Sequence, residues 1–445
     1  MILNPLTRRV RYLDGLPVLP GYFPVLGHAP SMHFDAIGLL RWGRETLGPL
    51  FWMVNGPRYR SAVYTERDAF ELLKNRTTTN KYLRENAKVL VGESLFGQDG
   101  KTHQHMRTAM NAPFTPRGLS ITDVGPVLAE LFRAGIERWQ PRQRLTILSE
   151  TQELTLSAIF RLLGIDVADV STWAQRYREF VYAISPLPKW IPGSRTARAE
   201  QAREWLDRHF ADLVHKERAR PPRESFFSAL VCGRDDEGKS LSDLELVDNL
   251  RFLTLAGHET SSSVLAWVVI TMAQRPALWD RVCEEARKGG GIPTSPQELR
   301  AFPLAEAVFR ETLRVYPVVA LTARQALTDV TIGHHTFPPG TMFNICLSLM
   351  MRDPELFPEP DRFNPDRWLG RKQPPTPLET AQFGGGPHFC LGYHLAVMES
   401  VQFIVALALR MSRDGLRPRL ADGPAPQHLF LPLGHPTRSA AIEFV

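Results

Sequence analysis

FGGGPHFCLG, residues 383–392, is the stretch of this sequence that says most about its fold. The three glycines at 384–386 permit positive φ and a close approach of the backbone to a flat partner. Pro387 stiffens the turn. An apolar-rich run follows over residues 391–409, so the pattern predicts a glycine-rich loop that leads into a helix. Cys390 then lies at or just before the helix start, where free N–H groups and the helix dipole favour an anion.

Three roles are considered for the lone cysteine Cys390: a buried hydrophobic residue, a zinc ligand and a haem ligand. Cysteine is usually a small buried hydrophobe, and that alternative stays open for Cys390. A thiolate at a helix start is also a good soft metal ligand. No C-x-x-C or H-x-E-type cluster supplies the further ligands of a zinc site. One thiolate on a glycine-rich loop suits a metal held by a macrocycle, which points to haem with a cysteine axial ligand.

The composition is that of an ordinary globular protein. Of its 445 residues, 43% are hydrophobic and 22% are charged, and the chain is long enough for a large core and possibly two lobes. The net charge of +6 is small and scattered, which argues against a nucleic-acid partner, although a local basic patch could dock an acidic protein.

The cysteines and the apolar runs bear on the compartment. The four cysteines, at 232, 283, 346 and 390, are far apart and follow no disulfide pattern, which favours a reducing compartment. No signal peptide is evident, and no run approaches the ~20 apolar residues of a membrane span. We therefore expect a cytoplasmic protein without a membrane anchor.

The longest predicted helix begins at a capping box, Ser242 with Glu245 three residues on. The pattern then runs without proline to Pro276, about 34 residues or ~50 Å. From 252 to 272 it is apolar on nearly all sides, which predicts a buried central helix. The sequence AGHET occupies residues 256–260 of this helix.

Glycine in a helix interior destabilises the helix by roughly 1 kcal/mol relative to alanine, so the presence of Gly257 requires an explanation. One explanation is close packing, with the Thr260 hydroxyl bonded back to its own helix. The other is a local distortion that makes room for a small ligand and presents the Glu259 carboxylate and the Thr260 hydroxyl. Both explanations stay open from the residues alone.

Two further pairs stand out. His103 and Arg107 are four residues apart, so they share a helix face and could bind a carboxylate or phosphate. Glu311 and Arg314, in the sequence ETLR, could form an ion pair. Taken alone, exposed pairs of this kind contribute ~0–1 kcal/mol and carry little information.

Together these motifs resemble the cytochrome P450 family of haem-thiolate monooxygenases. The matches are AGHET at 256–260, ETLR at 311–314, PDRF at 360–363 and FGGGPHFCLG at 383–392, in the family's order. The resemblance implies a mainly α fold with a smaller β-rich lobe and a long central helix over the haem. It implies one cytochrome P450 domain over residues 1–445, with the β-rich lobe at roughly 1–65 and 318–350.

The resemblance also assigns residues to haem b. Cys390 would be the iron ligand and Phe383 would shield its sulfur. The partners of the haem propionates would be His103, Arg107, Arg324 and His388. Glu311, Arg314 and Arg362 resemble the buried triad that fixes the proximal side, and breaking a buried charge network costs several kcal/mol.

Catalysis and substrate follow from the same resemblance. Glu259 would relay protons and Thr260 would hold oxygen and a water. The substrate-facing candidates, all apolar, are Phe252, Leu255, Ala256, Val318, Val319, Leu321 and Leu431. We therefore expect one oxygen atom of O2 to be inserted into a C–H bond or C=C of a lipophilic molecule such as a terpenoid, steroid, fatty acid or polyketide. The apolar candidates could also simply pack the core.

No G-x-G-x-x-G fingerprint opens a β-α unit in this sequence. Electrons would therefore come from separate proteins, a ferredoxin and its reductase. Two other functions stay open: a peroxide-driven haem enzyme or haem-thiolate isomerase, and a non-catalytic haem carrier or gas sensor. Members of the first group commonly lack the acid–alcohol pair, so Glu259 and Thr260 argue against it. A haem carrier or gas sensor would need neither that pair nor an apolar substrate cavity.

Overall fold

The fold is that of a computed structural model, which describes residues 3–56, 60–74, 76–86, 88–165, 169–181, 193–430 and 433–445. Helices predominate and strands are fewer, which confirms the predicted fold class. The chain divides into two compact units. Unit 1 contains residues 1–82, 310–390 and 425–437, and unit 2 contains residues 83–309, 391–424 and 438–445.

Unit 1 is built on a seven-stranded sheet whose strands come from distant parts of the chain. In spatial order the strands are β1 (Arg11–Leu13), β2 (Leu16–Val18), β3 (Leu50–Val54), β4 (Arg60–Tyr64), β10 (Met342–Ile345), β7 (Thr322–Ala326) and β5 (Thr78–Thr79). β4 pairs in parallel with β10, where Ala62 lies opposite Phe343. Two hairpins complete the unit, β8 (Val330–Ile332) with β9 (His335–Phe337), and β12 (His428–Phe430) with β13 (Gly434–Pro436).

The helices of unit 1 are α1 (Ala29–Leu47), α2 (Glu71–Lys74) and α15 (Leu347–Met350). Leu39 and Leu40 of α1 pack against Phe51 and Val63 of the sheet and form the apolar core of this unit. This burial of apolar surface is what holds the helix on the sheet.

Unit 2 is mostly helical. Its helices are α4 (Lys88–Val91), α5 (Gly100–Asn111), α6 (Pro116–Ile121), α7 (Val124–Glu137), α8 (Ile147–Leu162), α9 (Val170–Val181), α10 (Arg195–Arg218), α11 (Phe226–Val231), α12 (Asp243–Ala273), α13 (Pro276–Lys288) and α16 (Tyr393–Arg413). α3 (Lys81–Asn86) and α14 (Pro303–Val315) pass from one unit into the other. A small sheet joins β11 (Pro418–Leu420), β14 (Ala441–Phe444) and β6 (Leu145–Thr146).

α12 is the predicted long helix, and its cap is the predicted capping box. The Ser242 hydroxyl accepts a bond from the Glu245 N–H, and the Glu245 carboxylate accepts from the Ser242 N–H at 2.8 Å. The helix spans 31 residues, and α8 and α10 pack along it. Residues 246–251 and 262–272 of the helix are buried.

α16 is the apolar helix that the cysteine loop leads into. Among the described residues, the segment Gly386–Arg413 is long and apolar enough to cross a membrane by length and composition, and 72% of its most apolar window is buried inside the protein. A core helix of a globular protein has the same properties. The single-domain organisation with a β-rich lobe at 1–65 and 318–350 stays a prediction.

Candidate active site

The cysteine loop turns sharply before α16. Gly384 and Gly386 have φ of +79° and +60°, conformations that L-residues with a side chain rarely adopt. The N–H of Cys390 donates to the Phe383 carbonyl at 2.8 Å, and this bond fixes the cysteine relative to the backbone of Phe383. The half-buried thiol of Cys390 lies three residues before the start of α16.

The glycines of this loop make their close approaches to the protein's own backbone and side chains. A Cβ at Gly385 would lie 2.6 Å from the Phe70 ring, and one at Gly386 would lie 2.4 Å from the Leu73 carbonyl oxygen. The loop therefore requires glycine because it packs closely on the segment of unit 1 that leads into and forms α2.

Asn80 connects two of the predicted propionate partners. Its side-chain oxygen accepts a bond from the Arg324 guanidinium, and its side-chain nitrogen lies 3.2 Å from Nδ1 of His388. Arg324 is buried on β7. The arrangement places a buried cation and an imidazole around one amide, which is a donor set suited to a carboxylate. The sequence analysis missed Asn80, because nothing in its local sequence marks it.

Glu311 and Arg314 lie one turn apart on α14 and are both fully buried. Nε and Nη2 of Arg314 each donate to the Glu311 carboxylate at 2.9 Å. The remaining donors of Arg314 reach the carbonyls of Met351, Pro360 and Arg362. All five N–H groups of the guanidinium are therefore used, so this pair is a structural joint and not an exposed ion pair.

The third charged member of this network is Arg367, which corrects the expectation of Arg362. The Arg362 side chain is 65% exposed and pairs with Glu359, and only its backbone carbonyl enters the network. Nε of Arg367 donates to Glu311 at 3.2 Å. The physical reason is the 3-10 turn Pro365–Trp368, which also brings the Trp368 indole N–H to the same carboxylate at 2.9 Å.

The middle of α12 has accessible surface. Between its two buried stretches, five of the predicted site residues are partly accessible: Phe252, Leu255, Ala256, Glu259 and Thr260. Burial raises the pKa of Glu259, although Arg438 and a hydrogen bond with Gln152 act in the opposite direction. This carboxyl group therefore holds a proton at a higher pH than an exposed glutamate does.

Thr260 has its hydroxyl bonded back to the helix, donating to the Ala256 carbonyl at 2.6 Å. Its oxygen keeps lone pairs that can accept further bonds. A Cβ at Gly257 would lie 3.0 Å from Cδ1 of Ile159 on α8, and the α-helix runs without interruption through this turn. Of the two explanations left open by the sequence, the structure therefore favours the packing glycine.

His258 is buried beside the accessible stripe, and its Nε2 lies 3.6 Å from the Glu259 carboxylate. Its Nδ1 lies 3.0 Å from the Thr155 hydroxyl of α8. Burial lowers the pKa of His258 to about 4, so the imidazole is neutral at physiological pH. It is a satisfied core histidine that joins two helices.

A buried carboxyl group on α16 was not predicted. The Ser261 hydroxyl, next to Thr260 in the chain, donates to Glu399 at 2.9 Å. Burial raises the pKa of Glu399 to about 7. The signal that could have found it is a lone carboxylate in the mostly apolar run of residues 395–409.

His103 and Arg107 lie one turn apart on α5, as predicted from their spacing. His103 is buried and Arg107 is half-buried. Both side chains belong to unit 2, whereas Arg324 and His388 belong to unit 1.

The apolar substrate candidates divide by their surroundings. Phe252 stacks on Phe96, with ring centroids 4.7 Å apart. Val318 is buried, and Leu321 packs against the core cluster of unit 1, so these two side chains pack the core. Val319 is partly accessible. Leu431 lies outside the described residues.

Comparison with known proteins gives a consistent match. The family profile described as Cytochrome P450 matches residues 17–411. Cytochrome P450 BJ-4 of Bradyrhizobium diazoefficiens is 40% identical over 444 residues, which cover 100% of this chain and 99% of the relative. Cyclooctat-9-en-7-ol 5-monooxygenase of Streptomyces melanosporofaciens is 30% identical over 90% of this chain and 89% of the relative.

The solved structures show the same fold. CYP120A1 of a cyanobacterium, with retinoic acid bound, aligns with a TM-score of 0.80 at 22% identity over 95% of this chain and 97% of that one. The haem domain of cytochrome P450DA aligns with a TM-score of 0.82 at 17% identity over 96% of both chains.

Proposed function

Because the chain belongs to the cytochrome P450 family, a family of haem-thiolate monooxygenases that bind haem b through a cysteine, we propose that Cys390 is the iron ligand. The observation that carries this proposal is the half-buried thiol fixed on its loop by the bond from its own N–H to Phe383. The other three cysteines lie outside any comparable loop.

The residues present fit a haem. A thiolate can ligate the iron, and Phe383, whose carbonyl accepts the bond from the Cys390 N–H, would shield the sulfur. The Arg324 guanidinium and the His388 imidazole, which both contact the Asn80 amide, offer donors to one propionate. His103 and Arg107 offer the same kind of donors on α5. A flat dianionic macrocycle needs a soft ligand together with cationic or N–H donors, and unit 1 contains both in Cys390, Arg324 and His388.

When bound, the haem iron activates O2, and the thiolate favours cleavage of the O–O bond. The protein must supply protons at that oxygen. Burial raises the pKa of Glu259, which favours its protonated form, and this carboxyl group would pass a proton toward that oxygen. The Thr260 hydroxyl oxygen accepts a bond from a water and positions it, while its own proton is held by Ala256.

We propose a lipophilic substrate oxidised at a C–H bond or C=C, as expected for a terpenoid, steroid, fatty acid or polyketide. The partly accessible apolar side chains of Phe252, Leu255, Ala256 and Val319 support this class. The relative named cyclooctat-9-en-7-ol 5-monooxygenase is consistent with it. Electrons come from a separate redox partner, for which we propose a ferredoxin and its reductase, and the protein acts in the cytoplasm.

The thiolate assignment is tested by the carbon monoxide spectrum of the reduced protein. Wild type should show the shift of the Soret band to longer wavelength that thiolate ligation produces. Cys390→Ala should lose it, and Cys232→Ala, a change at another half-buried cysteine, should keep it. A displaced band in Cys390→Ala would contradict the proposal.

The proton-relay role is tested by coupling. Thr260→Ala should uncouple NAD(P)H consumption from product once a substrate is found by screening lipophilic compounds for a spin-state shift. The matched control is Thr254→Ala, because Thr254 lies on the same helix and its hydroxyl also bonds back, to Leu250 at 2.8 Å. Equal coupling in the two variants would count against the relay.

A further inference from the structure

The exposed apolar side chains of the described residues are concentrated near the N-terminus. Leu6 is 88% exposed and Val25 is 69% exposed. We call the set the N-terminal patch, and its members are Leu6, Val10, Tyr12, Val25, Leu26 and Phe34. Single exposed apolar residues are ordinary, but a concentration of them marks an interaction surface.

Hydrogen bonds hold the two segments of this patch side by side. The N–H of Asn4 donates to the Gly21 carbonyl at 2.9 Å, and the N–H of Gly21 donates to the Thr7 carbonyl at 2.8 Å. The Thr7 hydroxyl reaches the Tyr22 carbonyl at 2.6 Å. The turn that carries Leu6 therefore lies beside the segment that leads directly into the exposed tip at 24–26.

The tip itself is a fixed turn. The N–H groups of Phe23 and Gly27 each donate to the other's carbonyl at 2.8 Å, and Pro24, Val25 and Leu26 between them are exposed. A Cβ at Gly27 would lie 2.2 Å from the Val54 carbonyl oxygen, so the base of the turn is packed against β3. The apolar side chains are thus presented on rigid backbone.

Positive charge is interleaved with these apolar side chains. Arg8, Arg9 and Arg11 are all exposed and alternate with Val10 and Tyr12. Asp14 is the sole acidic residue in the sequence up to Phe34. Arginine beside protruding aliphatic and aromatic side chains is the composition that binds at the interface of an anionic bilayer.

We propose that the N-terminal patch docks the protein peripherally on an anionic lipid bilayer. A second copy of the chain is a poor occupant, because the two patches would bring three arginines against three others. Leu6, Val25 and Leu26 lie at turns and Tyr12 lies on the edge strand β1, which suits insertion between lipid headgroups. A lipophilic substrate of the kind proposed above would concentrate in the same bilayer.

The test is flotation of the full-length protein with vesicles of phosphatidylcholine alone and of phosphatidylcholine with phosphatidylglycerol. Wild type should float with the anionic vesicles, and added salt should weaken its binding. Replacing the three arginines together by glutamine should lower the partition coefficient on the order of a hundredfold. The triple change Leu6→Ser, Val25→Ser and Leu26→Ser should also release the protein.

The matched control is Leu244→Ser with Leu327→Ser, since both residues are exposed elsewhere on the chain; this variant should bind like wild type. Wild type that stays with the lipid-free fraction, binds both vesicles equally, or binds unchanged after the triple serine change would overturn the proposal. Self-association that depends on the patch would assign it to a second copy. The carbon monoxide spectrum of each variant shows separately whether the haem-thiolate assignment stands.

Discussion

The Glu311 carboxylate is the acceptor on which the buried network of unit 1 converges, and Glu311→Gln is the change that probes it most directly. Oε1 accepts from Arg314, from the Asn364 N–H at 2.8 Å and from Arg367, and Oε2 accepts from Arg314 and Trp368. Glutamine keeps the shape but replaces one oxygen by an NH2 group. In either orientation that NH2 faces at least two donors, so at least two bonds are lost.

The change also leaves the charge of Arg314 without its carboxylate in a site where both side chains are fully buried. Removing one partner of a buried pair typically costs about 3–5 kcal/mol. A folded protein has about 5–15 kcal/mol in total, so we expect Glu311→Gln to remove a large fraction of the stability. The measurement is a urea titration followed by far-UV circular dichroism.

The matched control is Glu359→Gln. Glu359 is also the partner of an arginine three residues away, but both side chains of that pair are about two-thirds exposed, so its change should stay within about 0.5 kcal/mol of wild type. If Glu311→Gln also stayed within about 0.5 kcal/mol, the reasoning from burial and donor count would be refuted.

Three further outcomes are expected. Arg367→Ala should destabilise the protein by about 2 kcal/mol or more in the same urea titration, while Arg362→Ala should change it by less than about 0.5 kcal/mol; the reverse order would restore Arg362 to the network. Burial raises the Glu399 pKa to about 7 from 4.5, so the stabilisation by its protonated form is fully present below pH 4.5 and is lost as the pH rises through 7. The free energy of unfolding of wild type should therefore fall by about 3 kcal/mol over this range because of Glu399. Glu399→Gln should abolish that fall, which is measured by urea unfolding at each pH. Gly386→Ala places a Cβ 2.4 Å from the Leu73 carbonyl oxygen at a positive φ and should lower haem retention measured by absorbance, whereas a fully loaded variant would argue against a rigid loop.

The features that could be predicted from the sequence are those set by neighbouring residues. The capping box of α12 needs only Ser242 and Glu245, three residues apart, and the structure contains it as predicted. The loop before α16 is likewise determined by its own glycines and proline. The helical content follows from the periodicity of long segments, which is a local signal.

The choice between Arg362 and Arg367 shows where local signals stop. The tripeptide PDR occurs twice, at 360–362 and at 365–367, and the sequence offers no reason to prefer the second. The turn that points Arg367 inward is stabilised by Asn364, whose side chain accepts from Asp366, and by the carboxylate of Glu311. That carboxylate is more than fifty residues away, so the choice depends on tertiary packing.

Asn80 and Glu399 were missed for the same kind of reason. Asn80 gains its role by meeting Arg324 and His388, which lie 244 and 308 residues along the chain. In the sequence, Glu399 differs from its neighbours only in being a carboxylate within a mostly apolar helix, and its partner Ser261 lies 138 residues away. Such pairings depend on which elements the fold brings together, and a single sequence does not contain that information.

The parallel pairing of β4 with β10 has a consequence for synthesis on the ribosome. Ala62 leaves the ribosome roughly 280 residues before its partner Phe343, which at about 5–20 residues per second is on the order of 15–60 s. During that interval β4 has one free edge, and free strand edges are prone to pair with other chains. The nascent chain therefore passes through a period in which its sheet is half built, and chaperone protection matters most then.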